Sequence, residues 1–124
     1  MHCFLENNMT TFTSLGVPES LAAALEKRGI AAPTEIQEAF IPAARAGENL
    51  IGEAPTGTGK TLAYLLPIME RIDPAARTAQ ALILAPTHEL AMQLATVARE
   101  LAQAAGLTFG VQALIGGANI KRQI

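Results

Sequence analysis

The chain has 124 residues, with 9 Lys and Arg against 11 Asp and Glu for a formal net charge of −2. That length suits a single domain, and a composition that is 50% hydrophobic and 16% charged excludes a disordered, highly charged tail. No apolar run approaches the roughly 18–20 residues of a membrane span, and no secretory leader precedes a cleavage site. With four Phe, one Tyr and no Trp, the core should be aliphatic and carried by Ala-rich helices. The near-neutral balance argues against a domain that grips nucleic acid by bulk positive charge, so any such contact must be local. Cys3, the single cysteine, rules out a disulfide framework or a cysteine-ligated zinc site and fits a reducing, cytoplasmic setting.

Residues 1–8 look unlike the rest of the chain, and Met9 could be the natural start; they are expected to be a non-native or disordered leader, with one partial domain over 9–124. Pro18 sits just inside a helix that carries Leu21 and Leu25 on one face and stops at Gly29. After a short linker, Thr34 opens a second helix with Ile36, Phe40 and Ile41 that ends near Gly47. Asn49 to Glu53 reads as a strand, followed by a loop from Ala54 to Gly59 and a helix from Lys60 that buries Leu62, Leu65, Leu66 and Met69. Pro67 within that helix predicts a kink or a short helix. Asp73 to Thr78 is a surface loop, and Ala81 to Ala85 a buried strand. Leu90, Leu94, Val97 and Leu101 carry helical spacing from Glu89 to Ala105, and Gly106 closes that helix. Leu107 to Ile115 gives a third strand before Gly116 and Gly117. The order strand, helix, strand, helix, strand implies an α/β fold with a parallel sheet and right-handed crossovers.

The strongest signal is Ala54-Pro55-Thr56-Gly57-Thr58-Gly59-Lys60-Thr61. A loop between a strand and a helix N-terminus turns backbone N–H groups toward phosphate oxygens. Gly57 and Gly59 let it curl and approach a ligand closely. Lys60 supplies a mobile positive charge for the β- and γ-phosphates, and the Thr61 hydroxyl can take one position on Mg²⁺. The first glycine of the general phosphate-loop formula is replaced by Ala54. Upstream, Thr34-Glu35-Ile36-Gln37 fits a capping box. Gln37 also has the amide geometry used for the N6/N7 edge of adenine, and local spacing does not decide between these uses.

Read together with Pro86-Thr87-His88-Glu89-Leu90-Ala91-Met92-Gln93, these segments resemble the first RecA-like domain of DEAD-box ATP-dependent RNA helicases, over Phe12 to about Gln123. The resemblance implies a RecA-like phosphate-loop NTPase sheet flanked by helices. It implies that Gly29, Pro33, Thr34 and Gln37 recognise adenine with Phe12 stacked on the base, and that Ala54 to Thr61 hold ATP and Mg²⁺. It further implies that Pro86, Thr87 and His88, with Gly116 and Gly117, contact the RNA backbone. From chemistry alone Thr87 is a helix cap, the glycine pair a tight turn, and Phe12 an apolar anchor for the N-terminal arm.

Two departures from the family pattern carry expectations. His88 stands where the family usually places Arg, and a histidine lacks the planar fork that binds phosphate. This predicts weaker RNA affinity that improves as pH falls toward about 6 and is relieved by His88→Arg; an exposed histidine without a role is the plain alternative. The sequence also stops at Ile124, before the family's acidic Asp-Glu-Ala-Asp segment and second RecA-like domain. The parent is therefore expected to be an ATPase, this stretch alone inactive, and a truncated sheet to leave edges that invite association. The rival functions are another phosphate-loop NTPase or kinase, and a non-catalytic nucleotide-binding fragment.

Overall fold

The computed structural model describes residues 9–116; the proposed leader, Cys3 and Gly117 lie outside that range. A 3₁₀ turn, Thr13–Leu15, is followed by four α-helices: α1 (Glu19–Lys27), α2 (Glu35–Arg45), α3 (Lys60–Arg71) and α4 (His88–Ala104). Helices α1, α2 and α4 begin and end within a residue or two of the boundaries expected from sequence, and α3 begins at Lys60 as expected. At the C-termini of α1, α2 and α4 the same closure recurs, with a glycine in the left-handed region after the helix. In α1 the Ile30 amide donates to the Leu25 carbonyl at 3.0 Å and Gly29 donates to Glu26 at 2.9 Å. This pair of bonds satisfies carbonyls that the helix itself leaves open.

The helices close around one aliphatic core. Leu21 and Leu25 from α1, Ile41 from α2, Leu66 from α3 and Leu101 from α4 are all fully buried. Burying one such side chain contributes about 1.5–3 kcal/mol, so this cluster is the main source of order in the fold. Helix α2 packs chiefly on α3, and α1 on α4. The Arg45 guanidinium forms a two-pronged pair with Glu70 at 2.7 and 2.8 Å. Arg71 reaches back from α3 to donate to the Ala44 and Arg45 carbonyls at the end of α2. Helix α3 does not stop at Pro67, which is buried at its eighth position; twelve residues run through it as one helix, so of the expected kink or short helix the short helix is absent. A second internal proline, Pro42 in α2, is exposed and equally tolerated. Among the described residues no helix is long and apolar enough to cross a membrane.

The expected parallel sheet is not formed among the described residues. Asn49–Glu53, Ala81–Ala85 and Leu107–Ile115 contain no hydrogen-bonded strand. In the second and third of these runs the side chains nevertheless follow a strand's period of two. Along 107–115 odd-numbered residues are half-buried and even-numbered ones exposed. Leu82 and Leu84 are 79% and 86% exposed, whereas Ile83 between them is 37% exposed. The physical reason is pairing: a helix completes its hydrogen bonds within itself, whereas a strand needs a neighbour. Instead, 81–85 and 108–114 both line one apolar groove of about 770 Å³, with Leu65, Met69, Leu94 and Ala98 of α3 and α4. The side chain of Arg99 on α4 ties the second run down, donating twice to the Val111 carbonyl at 3.1 and 3.0 Å.

Candidate functional site

The loop from Ala54 to Gly59 leads directly into α3, with Gly59 as its N-cap. Gly57 and Gly59 both adopt the left-handed region, at φ +85° and +82°. The Thr58 hydroxyl donates to the Pro55 carbonyl at 2.5 Å, which tightens the turn from within. Among the described residues, no side chain caps α3 and its first turn contains no acidic residue. The first backbone donor used in this helix is Ala63, bonded to the Gly59 carbonyl at 3.3 Å. The amides of Lys60, Thr61 and Leu62 are therefore left for an external acceptor, at the end of the helix where its dipole favours negative charge. Lys60 is exposed and forms no ion pair among the described residues, while Thr61 is half-buried beside it.

Gln37 connects this loop to the start of α2. It is 1% exposed, a buried polar side chain in an otherwise aliphatic interior. Thr34 and Gln37 form the expected capping box, with the Thr34 amide donating to Gln37 Oε1 at 2.9 Å. The other end of the same amide does something that local spacing could not reveal: Gln37 Nε2 donates to the Gly59 carbonyl at 3.0 Å, across 22 residues. Gly59 has to be glycine for this packing, because a Cβ there would lie 2.3 Å from Gln37 Nε2. A glutamine side chain has two N–H donors and two oxygen lone pairs. After these two bonds, one of each remains.

The other predicted site residues fall into three groups. Gly29, half-buried Pro33 and exposed Thr34 lie on the α1–α2 connection that ends at Gln37, so the structure brings that segment and the phosphate loop together. Phe12, by contrast, is 3% exposed and sits in the core cluster beside Val17 and Leu21. Its ring packs in the core as an anchor for the N-terminal arm. The third group lies at the start of α4. Thr87 caps that helix through its hydroxyl, which accepts from the Leu90 amide at 3.1 Å. His88 is the first helical residue and, like Pro86, is exposed. Gly116 lies beside it: a Cβ built there would be 3.9 Å from His88 Nε2. The two segments singled out in the sequence, 86–88 and Gly116, are thus neighbours in space. Among the described residues no group of three His, Cys, Asp or Glu side chains could hold a metal ion.

Comparison with known proteins places the chain among helicases. A family model described as DEAD/DEAH box helicase matches residues 34–124. The chain is 47% identical over 104 residues to the DEAD-box ATP-dependent RNA helicase CshC of Bacillus cereus, covering 84% of this chain and 26% of that protein. Among solved structures it resembles the RNA helicase Prp28 from Chaetomium thermophilum bound to ADP, with a TM-score of 0.80 and 39% identity over 93% of this chain and 29% of that one. It also resembles S. cerevisiae Dbp5 bound to RNA and ADP BeF3, with a TM-score of 0.73 and 32% identity over 77% of this chain and 25% of the other. The chain therefore spans about a quarter of the length of these relatives. The family model spans well over half of the chain, and the chain belongs to the DEAD/DEAH box helicase family.

Proposed function

We propose that this chain is the ATP-binding part of an ATP-dependent RNA helicase, in which nucleotide binding and hydrolysis are coupled to RNA remodelling. The observation that carries the reading is the uncapped N-terminus of α3, entered through two left-handed glycines and braced by Gln37. Ala54 to Thr61 hold the phosphates: the loop and first-turn amides donate to their oxygens, and Lys60 adds a charge. Thr61 is the residue that would hold Mg²⁺ through its hydroxyl, since that ion keeps several waters and needs few protein ligands. Bound there, the ion would supply charge neutralisation for the phosphates.

Adenine lies against the segment Gly29 to Gln37, with Phe12 supporting that segment from the core side. Gln37 offers the base its remaining N–H and lone pair. At 1% exposure it does so only if the contact with Gly59 shifts, so base recognition and phosphate-loop position are linked through one side chain. RNA backbone runs past Pro86, Thr87 and His88 and the adjoining Gly116 and Gly117. In the intact protein the three strand-like runs are strands of a RecA-like parallel sheet, and a second RecA-like domain completes the ATPase site. The resemblance of both solved helicases, one bound to ADP and one to RNA and ADP BeF3, supports these assignments.

Titration with a fluorescent ATP analogue tests the reading. Saturable binding is expected for the wild type, weakened by Lys60→Ala by about 1.5–3 kcal/mol, the range for a hydrogen bond to a charged group. Adenine over guanine preference should fall in Gln37→Ala. Absence of saturable binding in both proteins would leave an inert fragment, and binding indifferent to RNA with transfer to a small molecule would indicate a kinase.

A further inference from the structure

Three contacts, taken in chain order, show residues 107–116 returning along α4 from its last turn to its first. Leu107 donates its amide to the Ala102 carbonyl at 2.8 Å. Arg99 holds the Val111 carbonyl, through Nε at 3.1 Å and Nη2 at 3.0 Å. Gly116 then arrives beside His88, where a Cβ would lie 3.9 Å from the imidazole Nε2. The first contact belongs to the helix closure through Gly106, at φ +71°. A fixed starting point alone leaves the direction and reach of the run open; a second hold sets both. From Arg99 back to His88 the helix covers about 16 Å at its rise per residue. From Val111 to Gly116 an extended chain also covers about 16 Å. The Arg99 contact therefore leaves just enough chain to bring Gly116 level with the start of α4. Apolar packing cannot do this by itself. Leu107, Phe109 and Val111 pack against the core, but a displacement of two residues preserves their alternation and would move Gly116 by about 6.6 Å. A two-pronged bond to one particular carbonyl does distinguish these placements.

We infer that, on the RNA path proposed above, Arg99 is a positioning residue: it fixes the run at Val111 so that the backbone of Gly116 and the Thr87–His88 corner meet the same stretch of phosphodiester. Its guanidinium fork is engaged with a main-chain carbonyl 12 residues away, so it acts through the run and not through its own charge. One helix thus carries both halves of the RNA contact. Its first turn presents Thr87 and His88, and a side chain three turns further on sets where Gly116 comes to lie.

Fluorescence anisotropy with a labelled single-stranded RNA, on the 124-residue chain at several salt concentrations, tests this. Arg99→Ala should weaken RNA binding by about fivefold to tenfold, the size of one or two net hydrogen bonds. Arg99→Lys keeps one donor at similar reach and should recover part of the loss. Helical circular dichroism and binding of the fluorescent ATP analogue at α3 should not change, since Arg99 is exposed and lies on α4. Arg77→Ala removes an equal charge from the exposed 73–80 loop and should leave RNA affinity unaltered. The decisive readout is the dependence of affinity on salt. A positioning role lowers affinity at every salt concentration with the slope preserved, whereas losing a direct arginine–phosphate contact lowers the slope by about one unit. A reduced slope would overturn the positioning role, as would equal RNA affinity in Arg99→Ala and the wild type. Absence of RNA binding by the wild type itself would overturn the RNA path, and the role of Arg99 with it.

Discussion

Helices α1 to α4 and the three strand-like runs are built from similarly apolar sequence, yet their side chains end in opposite places. Leu25 and Leu101 are completely buried, whereas Ile51 is 93% and Leu84 86% exposed. Hydrophobicity alone does not separate them; backbone hydrogen bonding does. An amphipathic helix satisfies its interior donors and acceptors locally and then needs only one face covered. A strand has no such independence, and its two faces and two edges all depend on neighbours. The site divides along the same line. Its phosphate loop is anchored because Gly59 begins a helix and is held by Gln37, whereas the 81–85 run approaches the Thr87 region without lateral support.

The sharpest way to break this comparison is to truncate a leucine in each region. Leu101→Ala removes a fully buried side chain and should destabilise the fold by about 2–5 kcal/mol. Leu84→Ala, at an exposed position, should change stability by no more than about 0.5 kcal/mol. Chemical denaturation followed by circular dichroism reads both. Equal losses would mean that the strand-like runs are packed in solution after all.

The next effect is at the join between the regions. Gly59→Ala imposes a left-handed conformation on a residue with a Cβ, at about 1–2 kcal/mol, and drives that Cβ into Gln37 Nε2. Gln37→Ala leaves the Thr34 amide without its partner and should cost about 1–3 kcal/mol. Because the two residues touch, the double variant should cost less than the sum of the single ones: with Gln37 truncated, the added methyl has room. A denaturation-based double-mutant cycle measures this coupling. Strict additivity would show that the Gln37–Gly59 contact does not exist in solution.

Legibility in the sequence obeys the same physics. Helix boundaries were legible because their signals are local: Pro18 before α1, the Thr34 and Gln37 pair at α2, Thr87 at α4, and Gly29, Gly47 and Gly106 after helix ends. The phosphate loop was legible because its glycines and lysine are contiguous. Gln37 was legible as a cap but not as a brace for Gly59, because that bond spans 22 residues and leaves no local trace. Phe12 was legible from its chemistry as an apolar anchor, which its 3% exposure fits, whereas its stacking on a base comes only from the family resemblance. The three runs were read as strands from their short apolar stretches, but their pairing was not legible, since such a stretch does not specify a neighbour.

The smallest effect separates two roles that coincide at Thr87. Its hydroxyl accepts from the Leu90 amide and thereby caps α4, and the same position is where the RNA backbone is proposed to pass. Thr87→Ala removes both functions and should cost about 1 kcal/mol of stability, so by itself it cannot distinguish them. Thr87→Asp can. Aspartate is among the better N-caps and its charge suits a helix N-terminus, so stability should match or slightly exceed that of the wild type. The same carboxylate places negative charge where a phosphodiester would lie, so fluorescence anisotropy with a labelled single-stranded RNA should show weakened binding. Unchanged stability together with unchanged RNA affinity would reduce Thr87 to a cap and move the RNA path away from the start of α4.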